Sequence, residues 1–181
     1  KVIYLSNRTK IKSGLKADGI ITKERRLAIS ILTADCIPIL FYDPVEKIIG
    51  CTHAGWKGAL SGIVQNTIYK FMKLGSNKKN IICSVGPCIA KKNYEVGSEF
   101  YNKFIKKSKK NKFFFSKLKN NKYNFDLRNY VNNILRNMLM KNIENIKVDT
   151  FPEKNSYFSY RRSLLHGEND YGRCISTILI K

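Results

Sequence analysis

The amino-acid sequence predicts an α+β fold in which mixed β-sheets pack between helices. Short continuous apolar runs bounded by Gly, Pro and Asp read as buried strands. Two stretches instead carry apolar residues at helical spacing. Strand runs and helices also come in blocks rather than in regular βαβ alternation. At 181 residues the chain suits one domain, spanning 1–181, and 43% apolar content is ordinary for a packed core.

Val2 to Leu5 reads as a short strand, and Ser6 to Lys16 as a polar loop. Ala17-Asp18-Gly19 is a turn entering the apolar Ile20-Ile21. Leu27 to Leu32 and Ile37 to Tyr42 are strand runs, Asp43 to Lys47 a turn, and Ile48 to His53 a third strand. Leu60, Ile63, Val64, Thr67, Ile68, Phe71 and Met72 then recur at 3.6-residue spacing, and Gly75 ends that helix. Ile81 to Val85 is a strand closed by Gly86-Pro87. Ser98 is expected to cap a helix bearing Phe100, Phe104 and Ile105, and the basic segment after it to be a loop. Asp126 caps a second long helix with the stripe Leu127, Tyr130, Val131, Ile134, Leu135, Met138 and Leu139. Ile146 to Asp149 and Cys174 to Ile180 are the remaining strand expectations.

No apolar run approaches the ~20 residues a bilayer span requires. Lys1 to Leu5 is too short for a signal-peptide core, although the chain begins with Lys rather than Met and is read as a fragment. The five cysteines are odd in number and show no disulfide framework, which points to a reduced, cytoplasmic protein. The formal charge of +21 raises nucleic acid as a partner. The excess is mostly Lys, however, and travels with Asn and Ile along the whole chain, the composition an A/T-rich genome gives. One dense basic cluster, Lys103 to Lys112, has no recognised binding motif beside it, so nucleic acid is not expected as the main partner.

The chemistry concentrates in Thr33-Ala34-Asp35-Cys36 and His53-Ala54-Gly55-Trp56-Lys57-Gly58. Cys36 lies between two strand runs, where a thiol serves as a metal ligand, a nucleophile or a packed core group. His53 ends a strand and is one of only two histidines. Adjacent strand ends can converge at one sheet edge, which would bring the pair together. Cys51 shares the strand face of His53 and reads as a packed thiol or an extra ligand. Trp56 suits either stacking on a planar ligand or anchoring the next helix. Lys57 near a helix start favours an anion. Arg161, Arg162 and Arg173 sit among aromatic residues and suit phosphate, with solvated surface charge as the alternative. His166 reads as a loop histidine without a role.

Taken in order, Thr33-Ala34-Asp35-Cys36-Ile37-Pro38, His53 to Gly58, Gly86-Pro87, Tyr94-Glu95-Val96-Gly97, Asp126-Leu127 and Phe158-Ser159-Tyr160-Arg161-Arg162 resemble a bacterial member of the YfiH-type family. These laccase-domain proteins were first described as multicopper polyphenol oxidases and later as purine nucleoside phosphorylases. The resemblance covers nearly the whole chain. It implies the α+β YfiH-like fold and a zinc site, copper being the older alternative, with Cys36 and His53 as ligands. It implies phosphorolysis of adenosine, inosine, guanosine and methylthioadenosine, and hydrolytic deamination of adenosine. Lys57, Arg161, Arg162 and Arg173 would then serve phosphate, and Asp35 would orient a ligand.

The family's third ligand is a histidine in a Gln-Val-His segment, which the motif order places upstream of Lys1; the family's N-terminal region is expected to be missing here. Lys57 stands where the motif carries Arg, and the segment between Arg162 and Arg173 is longer than usual. Three rival readings remain open. One is a thiol hydrolase or deamidase with Cys36 as nucleophile and His53 as base. The others are a copper-dependent phenol oxidase and a basic nucleic-acid-binding module.

Overall fold

The computed structural model describes residues 1–6 and 16–181. The expected polar loop from Ser6 to Lys16 therefore lies largely outside the described residues. The first half of the chain forms β1 (Val2–Leu5), β2 (Gly19–Thr22), β3 (Ile29–Thr33), β4 (Ile37–Asp43), β5 (Ile48–Ala54), α1 (Trp56–Leu60), α2 (Ile63–Lys73) and β6 (Ile82–Val85). The second half forms β7 (Glu95–Gly97), α3 (Ser98–Lys107), β8 (Phe115–Lys117), β9 (Lys122–Phe125), α4 (Leu127–Asn137), β10 (Asn142–Asn145), α5 (Tyr160–Leu165) and β11 (Cys174–Ile178).

This is the expected α+β arrangement with mixed sheets. Six strands run in the order β1-β2-β5-β4-β6-β10, with β1–β2 and β6–β10 parallel and the pairs between them antiparallel. Strand alternation sorts β4 and β5 into two faces. Ile37, Ile39 and Phe41 of β4 face one core together with Val64, Ile68 and Phe71 of α2 and Val131 and Leu135 of α4. Burying each of these large side chains contributes about 2 kcal/mol. Gly50 of β5 has no side chain because Phe71 fills the space: a Cβ there would come within 2.7 Å of its ring. The opposite sheet face carries Ile49, Cys51, Leu40 and Tyr42, and β3, paired with β11, covers it through Ile29 and Ile31. Helices thus cover one face and a strand pair the other.

Several elements depart from expectation for identifiable reasons. Gly62 takes φ +90, which breaks the apolar helical stretch into α1 and α2. Gly75, at φ +105, ends α2 as expected. Ser98 is the first helical residue rather than the cap; Gly97 occupies the cap position, with no side-chain hydrogen bond. The basic segment is not a loop. Lys103 to Lys107 lie in α3, and Lys109–Phe114 form 3-10 turns that bury Phe114 and Asn111 and leave Phe113 exposed. The small sheet β7-β9-β8 had no clear sequence signal, since its strands are three or four residues long. The strand expected at 146–149 is displaced to Asn142–Asn145, where only Ile143 is apolar, and Asp149 keeps a single bridge to Cys88. Among the described residues no helix is long and apolar enough to cross a membrane.

Asp126 does cap α4, accepting a hydrogen bond from the Asn129 amide at 3.0 Å. Asp126→Ala is expected to destabilise the protein by about 1 kcal/mol, read as a lowered urea midpoint at unchanged slope. The five cysteines are free thiols, of which Cys51, Cys83 and Cys88 are buried. A water-soluble thiol reagent should therefore label at most Cys36 and Cys174 in the native protein, and the other three only after unfolding.

Candidate functional site

The register of β4 on β5 builds the site. Ile37 lies opposite Ala54 and Pro38 opposite His53, so the start of β4 meets the end of β5. Cys36, one residue before β4, therefore lands beside Gly55, one residue after β5. A Cβ on Gly55 would sit 2.9 Å from Cys36 Sγ and 3.6 Å from His53 Nε2. Thiol and imidazole thus converge on one point that only glycine leaves open. The pairing expected from the strand ends is present. Cys51 lies two residues from His53 but is buried in the second core, as a packed thiol.

Asp35 holds this corner together. It is a buried non-glycine residue at φ +74, a conformation Asp tolerates better than most residues. Its Oδ1 accepts from Thr150 Oγ1 at 2.7 Å, and its Oδ2 accepts from Ser159 Oγ at 2.9 Å and from the Arg161 amide at 2.7 Å. Ser159 is also the N-cap of α5 and accepts from the Arg162 amide. Strain of about 1–3 kcal/mol in the backbone is outweighed by three charge-assisted hydrogen bonds of about 1.5–3 kcal/mol each. Asp35 therefore fastens the Cys36 turn to the start of α5 and does not touch His53. Thr150 and Ser159 are functional neighbours that the sequence reading missed; Ser159 belongs to the Phe158–Arg162 motif, whereas Thr150 carries no signal.

Two cavities flank this corner, and Cys36 and Tyr160 line both. One, about 450 Å³, is aromatic, with Trp56, Tyr94 and Phe100 on its walls and Glu95 and Arg161 as polar groups. The other, about 280 Å³, contains His53, Thr33, Tyr171 and Arg173. Trp56 both anchors and lines: its ring lies 4.6 Å from that of Phe100, while Lys57 Nζ and Lys103 Nζ approach it at 5.5 and 5.6 Å. Lys57 is exposed beside Trp56 and lines neither cavity. Arg161 donates to the Glu95 carbonyl at 2.8 Å and lies over the Tyr94 ring at 5.7 Å. Arg162 turns elsewhere: its guanidinium donates to the carbonyls of Thr150, Phe151 and Tyr157. It lines neither cavity and closes the loop that precedes α5. His166 is exposed at the end of α5, 3.8 Å from Glu168, away from both cavities.

The electrostatics of the pair are set mainly by burial. Burial and then Asp35 push the Cys36 thiol up to about 11. Burial pushes His53 down, against an opposing pull from Asp18. Near neutrality the imidazole is a neutral lone-pair donor and the thiol is protonated. Thiolate and neutral imidazole are both good ligands for a borderline-soft ion, and a bound ion displaces the thiol proton. The cradle over Gly55 therefore fits a metal with these two ligands. Among the described residues no group of three or more His, Cys, Asp or Glu is placed to hold one.

The sequence pattern of a family described as multi-copper polyphenol oxidoreductase laccase matches residues 1–181. A Rickettsia prowazekii protein named purine nucleoside phosphorylase is 39% identical over 168 residues, which is 92% of this chain and 69% of that protein. A Haemophilus influenzae protein of the same name is 32% identical over 91% of this chain and 65% of its own length. The crystal structure of the hypothetical protein YfiH from Bacillus licheniformis superimposes with a TM-score of 0.82 at 30% identity, covering 91% of this chain and 61% of that one. The chain thus spans about two thirds of the relatives it matches.

Asp35→Ala removes all three hydrogen bonds at once and is expected to lower stability by about 4 kcal/mol or more, measured by urea denaturation. Thr150→Val removes one of them and should cost about 1.5–2 kcal/mol. A loss of less than that for Asp35→Ala would mean the turn stands without its carboxylate.

Proposed function

The chain belongs to the family described as multi-copper polyphenol oxidoreductase laccase, and within it we propose that this protein is a zinc-dependent purine nucleoside phosphorylase. The observation that supports the reading is the convergence of Cys36 Sγ and His53 Nε2 over Gly55, between an aromatic cavity and one that holds Arg173. The names of the Rickettsia and Haemophilus relatives supply the activity.

Cys36 and His53 are the residues that would hold the metal. Zinc suits a thiolate and an imidazole, whereas a centre of several coppers draws on many histidines and this chain has two. When bound, zinc supplies a Lewis acid that polarises oxygen and acidifies water. The aromatic cavity takes the purine: Trp56, Tyr94 and Phe100 offer ring faces, and Glu95 and Arg161 offer polar groups at its rim. Arg173 holds phosphate from the other cavity, with Arg161 and Lys57 adding positive potential; Arg162 serves the loop before α5. In phosphorolysis a phosphate oxygen bonds to C1′ of the ribose as the C1′–N9 bond breaks. The electron pair leaves with the purine, which takes up a proton. Guanidinium groups held beside the cavities stabilise the phosphate charge throughout the bond exchange.

Adenosine, inosine, guanosine and methylthioadenosine are the substrates this reading covers. Hydrolytic deamination of adenosine, in which water adds at C6 and ammonia leaves, belongs to the same site. Five free thiols suit a reducing compartment such as the cytoplasm. A thiol hydrolase built on Cys36 would need His53 to take the thiol proton, and burial with Asp35 disfavours the thiolate.

Cys36→Ala and His53→Ala should each lower phosphorolysis of inosine by more than about 100-fold and reduce bound zinc, measured by product release and metal analysis on the same samples. Full turnover in both variants would remove the metal mechanism. Gly55→Ala should lower zinc content while the urea midpoint holds, because the added methyl crowds the ligand atoms and its backbone, at φ −71, accepts alanine.

A further inference from the structure

The segment joining α5 to β11 lies across one side of the 280 Å³ cavity. Its Tyr171 ring meets Tyr160 edge-on at 5.0 Å, and both rings line the cavity. Gly172 is packed against the Phe158 ring so closely that no side chain fits there, which fixes the strap in place. Arg173 folds back over the strap. Its guanidinium lies 4.2 Å above the Tyr171 ring, and its Nη1 donates to the Tyr171 carbonyl and to Asp170 Oδ1 at 3.1 Å. Asp170 is largely exposed, with 81% of its side chain accessible. The one guanidinium that lines this cavity among the described residues is therefore seated on an aromatic face and already carries a carboxylate, bound where an oxyanion would bind.

We propose that Tyr171 and Asp170 set the affinity of Arg173 for phosphate in opposite directions: Tyr171 holds the guanidinium over the cavity, and Asp170 is the anion that phosphate displaces. The inference rests on the phosphorylase reading above and adds two positioning residues to it. Tyr171 keeps Arg173 aimed by the attraction between a cation and a ring face. Asp170 occupies the fork of the same guanidinium through an exposed pair that water screens, so a doubly charged phosphate can replace it. The resting arrangement keeps an uncompensated cation out of the cavity until the co-substrate arrives.

The test is inorganic phosphate binding to the full chain by calorimetry, alongside steady-state KM values for phosphate and inosine. Asp170→Asn should tighten phosphate about two- to fivefold, and Tyr171→Ala should weaken it by about the same factor. Tyr171→Phe keeps the ring and should restore wild-type phosphate affinity, while the inosine KM stays within about twofold in the exposed Asp170→Asn variant. Opposite signs are the discriminating result, since damage to the fold would weaken both variants. Shifts of the same sign, or none in either variant, overturn the inference and leave the phosphorylase reading in place. A wild-type protein that neither binds phosphate nor turns over nucleosides overturns both.

Discussion

The buried carboxylate of Asp35 is the constraint on which the rest of the site depends. Three donors from the segment 150–161, Thr150, Ser159 and the Arg161 amide, meet on it. They bridge more than 100 residues of sequence, so one side chain joins the β3–β4 turn to α5 and to the loop before it. The left-handed backbone that this geometry requires is offset by the hydrogen bonds it makes possible. Tyr160 and Arg161, which line the cavities from the C-terminal side, are placed relative to Cys36 through that contact.

The sheet does the corresponding work on the other side. Antiparallel pairing of β4 and β5 has period two, and a slip of one residue would turn His53 toward the helices. The apolar faces forbid the slip: Ile37, Ile39 and Phe41 must meet α2, and Ile49 and Cys51 must meet β3. The geometry of the thiol–imidazole pair is thus inherited from core packing rather than from contacts between the two side chains.

Much of this was legible in the sequence. The strand runs that became β1 and β3 to β6, the helices α2 and α4, the Asp126 cap and the convergence of Cys36 with His53 follow from apolar periodicity and residue type. What was not legible falls into two kinds. Short polar elements such as β7 and β10 owe their existence to partners far along the chain and have little pattern of their own, and β8 is only three residues long. Side-chain roles within basic clusters were also hidden. Arg161 and Arg162 are adjacent and chemically identical, yet one lines a cavity and the other ties down three carbonyls. Only the direction in which the N-terminus of α5 presents each residue separates them. Asp35 reads in the sequence as a support for a ligand, and in the structure its carboxylate tethers the Cys36 turn to α5.

The two sides of the corner differ in how freely they can change. Cys36 and His53 stand at the meeting ends of the core strands β4 and β5, whereas Tyr94, Tyr171 and Arg173 stand on or next to surface connections. Loops tolerate substitution and insertion far better than the strands that carry them. A lineage holding this fold can therefore exchange what it recognises while keeping the reactive pair untouched. The division between β4–β5 and the strap after α5 is a seam along which new substrate preferences could be acquired one loop at a time.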